Sequence, residues 1–203
     1  MSLSDAVAAL HQTLNELYAV DQIFKSGWPE DHTGSILHPP ASEAEIVAAE
    51  SRLGHAFPPS YRAFLGMHRA WEHMWGDHTL IGTGDECVQR AIDEIAEDVR
   101  DETEDLKETL GELSDDLVDA WEASEARHLF IARHLVIACN FAGEHMVYDA
   151  TTRRSDGEMT LKTWDIGYGA QDPMYESFEE FLVDQRARAM ERLEWIRAND
   201  DGA

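Results

Sequence analysis

The chain is poor in cysteine and in positive charge, and it has no long apolar run. Its 203 residues include two cysteines, Cys87 and Cys139. They lie far apart and match no metal-ligand spacing, so they read as small buried hydrophobes before a disulfide. No stretch approaches the roughly 18 consecutive apolar residues of a membrane-spanning helix. Met1-Ser2-Leu3-Ser4-Asp5 lacks a basic start and an uninterrupted apolar stretch, so no secretory signal is expected and a cytoplasmic location is. The nucleophile elbow, the phosphate loop, the dinucleotide fingerprint, His-Glu-x-x-His and Cys-x-x-Cys are all missing. Nothing in the sequence argues for an enzyme, and neither a cofactor nor a catalytic residue is expected.

Basic residues number 16 against 41 acidic ones, a formal net charge of −25. Direct nucleic-acid binding needs basic patches and is argued against. A basic partner fits better, because complementary fields speed association. Solubility alone is the competing reading of the same charge.

Residues 40–68 organise the rest. Ser42 and Glu45 form a capping box, each satisfying a free backbone N–H at a helix start. Ile46, Ala49, Glu50 and Leu53 follow at helical spacing. Gly54 sits where a helix ends in a left-handed residue. Phe57 carries the chain back to the core, and Pro58 and Pro59 preset a second helix start. Tyr61, Phe64 and Leu65 then face that core.

The pattern Ser42, Glu45, Ile46, Glu50, Leu53, Gly54, Pro58, Tyr61, Phe64, Leu65 resembles the SUKH superfamily of bacterial immunity proteins and fungal cell-wall regulators. A second piece agrees: Val147-Tyr148-Asp149, then Thr163-Trp164-Asp165, then Ser177-Phe178-Glu179-Glu180-Phe181-Leu182. The family often has Asn-Gly-Gly after the Phe-Leu helix, where this chain has Gly66-Met67-His68. The resemblance implies an immunity protein that neutralises a cognate polymorphic toxin domain by occlusion; the acidic charge adds that this toxin is basic, a nuclease for example. A regulatory scaffold for an endogenous protein is the alternative.

Around that unit, residues 4–24 read as an amphipathic helix through Leu3, Val7, Leu10, Leu14 and Leu17. It is either an element packed on the core or a dimer seam, so monomer and homodimer both stay open. Residues 26–41 are a loop. Met67, Trp71, Met74 and Trp75 continue helical spacing to about Trp75, as core or, if exposed, as a partner patch. Residues 78–81 suit a short strand. Residues 85–126 carry 17 acidic and 3 basic residues at helical spacing. They read as an inserted acidic helical segment, with Asp101, Glu104, Glu108 and Asp115 as partner-facing charges.

Residues 129–139, 145–149 and 158–164 read as strands of an antiparallel meander. Residues 167–173, with Tyr168, read as a loop. Ser177 caps a last helix. The expected fold is α+β: a central antiparallel sheet of about four to six strands with helices packed on it, an N-terminal helix and the acidic insertion. Residues 1–35 form a helix and linker, 36–185 the SUKH-like domain and 186–203 a C-terminal extension. The ten histidines raise a metal site at His68, His73, Asp77 and His78. Their spacing is poor, and ordinary histidines are the better reading.

Overall fold

The computed structural model describes residues 2–21, 34–75, 78–80, 82–83, 134–139, 144–165 and 169–199. Helix α1 spans Leu3–Val20, with Ser2 and Asp5 closing a capping box at its start. Strand β1 is Ile36–Leu37. Helices α2, Glu43–Leu53, and α3, Pro59–Leu65, are the two-helix unit. Strands β2 (Trp71–Trp75) and β3 (His78–Leu80) follow. Strands β4 (His134–Cys139), β5 (Glu144–Asp149), β6 (Leu161–Asp165) and β7 (Gly169–Tyr175) precede helix α4, Phe178–Asn199.

The two-helix unit forms for the reasons its sequence gives. Ser42 Oγ accepts the Glu45 N–H, and Glu45 answers at the Ser42 N–H at 2.7 Å. Both Ser42 bonds hold the Glu45 carboxyl below its ordinary value. Gly54 ends α2 at φ 72°, in the left-handed region. Pro59 opens α3 at its first turn.

The seven strands form one antiparallel sheet in chain order, β1 to β7, a meander without crossovers. Three differences from the sequence reading stand out. The sheet has seven strands rather than four to six. Residues 71–75 are a strand, not the continuation of α3. Gly66 closes α3, its N–H bonding the Arg62 carbonyl, and the chain reverses so that Leu37 pairs with Trp71. The segment read as a loop supplies β7, which pairs Gly169 with Asp165 and Tyr175 with Leu161. As an edge strand it tolerates Pro173, which has no N–H to give.

A bulge shapes the sheet centre. Val136 faces Val147 and Ala138 faces Met146, so one residue is extra on β4. Leu135 and Ala138 therefore share a face with Tyr148 and Met146 in the core. On the other face Val147, Lys162 and Asp149 are also buried, and Lys162 Nζ meets Asp149 Oδ2 at 2.7 Å.

One core joins the helices to the sheet. Its centre is aromatic: the Tyr61 and Phe64 rings lie 5.2 and 5.0 Å from Phe178. Tyr61 is 5.8 Å from Tyr148, and Phe64 is 6.1 Å from Trp71. Phe57, Tyr61, Phe64 and Leu65 are buried as expected; Ile137, Val147, Phe178 and Phe181 are buried too, and Val136 is half-buried. Gly82 fits where a Cβ would stand 1.7 Å from the Arg69 carbonyl oxygen, so this crossing admits no side chain.

Helix α1 buries Val7, Leu10, Leu14 and Leu17 in the same core, packed largely along α4. Asp21 at its end meets Arg192 of α4 at 2.8 Å. The apolar stripe that could have served as a dimer seam is thus used within the chain. No helix among the described residues is long and apolar enough to cross a membrane.

Candidate functional site

The motif residues of the two-helix unit serve the fold first. Glu50 is 15% exposed at its side chain, and its Oε1 accepts the Phe57 N–H at 2.9 Å and Arg62 Nε at 3.2 Å. One carboxylate of α2 thereby ties that helix to the α2–α3 turn and to Arg62 in the last turn of α3. Arg62 also pairs with Glu43, and that bond raises the guanidinium's pKa. Ser60 ties the same helix outward: its N–H donates to Glu158 at 2.7 Å and its hydroxyl at 2.8 Å, while its oxygen accepts the Phe178 N–H at 3.2 Å. Removing Glu50 leaves a half-buried N–H and a cation without their acceptor. Glu50→Ala is expected to lower stability by about 2 kcal/mol, read as a shifted urea midpoint with unchanged slope.

The residues proposed for partner binding separate into three groups. Trp71 is fully buried, its Nε1–H on Ser35 Oγ at 2.5 Å, so it belongs to the core and offers no surface. This corrects the exposed-patch reading, and Met74 is buried too. Trp75 ends β2, paired with His78. Asp101, Glu104, Glu108, Asp115 and Tyr168, with the acidic insertion, lie outside the described residues.

The histidines are spread over separate structural tasks. His38 Nε2 meets Glu72 Oε1 at 2.6 Å, and His68 Nδ1 meets the His38 carbonyl at 3.0 Å. His73 stands at φ 54° on β2, and its carbonyl accepts the Tyr18 hydroxyl. Residues 71–75 form a strand, so His73 is not on the helix that its spacing to Asp77 implied, and Asp77 itself lies outside the described residues. Among the described residues no group of three or more metal-ligating side chains comes together.

What the sequence reading missed is a groove between α1 and α4, of about 170 Å³. It is lined by Ala9, Gln12, Thr13 and Glu16 of α1 and by Arg186, Met190, Leu193, Glu194 and Arg197 of α4. Close by, Arg192 lies over the exposed Trp195 ring at 4.7 Å. Val183, seven positions before the groove residue Met190, is exposed on the same helix as Met190 is. That spacing was legible; the pairing with α1 that makes a groove was not.

The model of the SMI1/KNR4 family (SUKH-1) matches residues 40–184. The chain belongs to this family. No curated protein matches it. The family match covers the capping box, the aromatic core and strands β2 to β7, and it ends seven residues into α4. Every residue lining the α1–α4 groove therefore lies outside it. The family includes toxin-immunity proteins and fungal regulators, which bind proteins and generally do not catalyse.

Proposed function

We propose that the chain is an immunity protein that binds a cognate polymorphic toxin domain and neutralises it by occlusion. Membership of the SUKH-1 family carries this reading. Charge adds its direction: with 41 acidic residues against 16 basic ones, the fitting toxin is basic, and a nuclease is the leading kind. Carboxylates spread over a surface would stand in the cleft where that enzyme holds phosphates. No bond is made or broken, so no catalytic residue, metal or cofactor is involved. The protein acts in the cytoplasm, where an incoming toxin would meet it, and Asp101, Glu104, Glu108, Asp115, Trp75 and Tyr168 belong to the proposed contact.

The test is co-expression with a candidate toxin domain sought in the adjacent reading frames. Growth should be restored by the chain, and the purified pair should form a stable complex with the toxin's activity lost. If the chain leaves killing unchanged and instead retains a housekeeping protein in pull-downs, the regulatory scaffold replaces this reading.

A further inference from the structure

The contact between α1 and the strands turns on one hydrogen-bond chain. Asn15 on α1 accepts the Ser35 N–H at its Oδ1, 3.1 Å away. Gly34 makes that approach possible: its φ is +129°, and a Cβ there would stand 2.5 Å from the same oxygen. With Oδ1 turned to Ser35, the Asn15 Nδ2 must point the other way, and it lies 3.2 Å from His11 Nε2. An amide NH₂ only donates, so His11 Nε2 must accept. The ring is then neutral, with its proton on Nδ1, which is sealed from solvent. The His11 ring stands edge-on to Trp71 of β2 at 6.0 Å, and Trp71 in turn holds Ser35.

We propose that His11 is a proton-sensitive lock: uncharged, it fastens α1 to the Gly34–Ser35 corner and β2; protonated, it undoes that fastening. A proton on Nε2 would face the Asn15 N–H groups donor against donor. Turning the Asn15 amide to relieve this would break the bond to Ser35. Burial, then the neighbouring His68, push the His11 pKa below its ordinary value of 6.5. His68, in the α3–β2 turn, is the ionisable group whose charge His11 feels; behind it His38 is engaged with Glu72. Asn15 and Trp71, which flank the ring from α1 and β2, are not titratable here. The sign follows: the lock's contribution is whole above pH 6.5 and is lost as pH falls through the lowered folded value. Across that window one proton changes the closed-to-open ratio by up to about tenfold per pH unit. This inference does not depend on the toxin reading.

Hydrogen exchange of α1 amides, relative to α3 amides of the same sample, tests it between pH 7.5 and 5.0. Opening of α1 should rise relative to α3 in the unaltered protein as pH falls, by up to about tenfold for each pH unit of that window. It should stay level in His11→Gln, whose uncharged amide oxygen still accepts from Asn15. In Asn15→Asp the carboxylate keeps Ser35 and welcomes the charged ring. The His11 titration midpoint, read by NMR, should then move from below to above 6.5. A level ratio in the unaltered protein, the same rise in His11→Gln, or an Asn15→Asp midpoint below the ordinary value would overturn the proposal. If His11→Gln does not fold, the Asn15→Asp midpoint decides alone.

Discussion

Phe64→Ala is expected to cost about 3–5 kcal/mol, the upper range for emptying an aromatic site in a packed core. Phe64 is fully buried and contacts Tyr61, Phe178 and Trp71 with ring separations of 5.8, 5.0 and 6.1 Å. Those partners come from α3, α4 and β2, so no single element can shift to close the hole. Against a typical total of about 5–15 kcal/mol, such a loss removes a large share of the stability. Urea unfolding followed by near-ultraviolet circular dichroism measures it. A loss under about 1 kcal/mol would mean that the cluster does not hold the fold.

Reversing Asp101, Glu104, Glu108 and Asp115 to lysine is expected to slow association with the toxin domain by about tenfold or more at low salt. Exposed charges act over about 10 Å at 0.1 M salt, so the on-rate should also fall steeply as salt rises. Dissociation should change less, because rim charges govern encounter more than release. Kinetics at several salt concentrations separate the two. An on-rate indifferent to salt, or full protection by the four-fold variant, would assign the acidic segment to solubility. The groove of α1 and α4 would then be the next surface to alter, through Arg186 and Glu194.

The parts of this fold readable from sequence are those where one residue type answers one local need. Ser42 with Glu45, Gly54 and Pro59 each satisfy a demand set within a few residues, and each does what its spacing announced. The strand-rich second half was legible by composition, and its meander by short connections. Trp71 and Met74 misled because residues three and four apart fit a helix. Yet aromatic residues suit strands equally, and the deciding partners, Leu37 and Leu80, lie elsewhere in the chain. Gly169 to Tyr175 misled because glycine, aspartate and proline mark turns, though a sheet edge accepts them. Of the candidate site, the charge was visible and its placement was not. The groove needs two helices from opposite halves of the chain, and no local pattern announces that.

The grip of Arg192 on Asp21 spans 171 positions. During synthesis Asp21, at the end of α1, emerges 171 positions before Arg192 of its companion helix. At about 5–20 residues per second α1 waits on the order of ten seconds or more with Leu10, Leu14 and Leu17 uncovered. An eighteen-residue helix is marginal by itself in water, so for that interval the segment is open to chaperones and proteases. A ribosome stalled anywhere before residue 192 would release a chain unable to make this clasp. The Asp21–Arg192 pair thus cannot close until translation has passed Arg192.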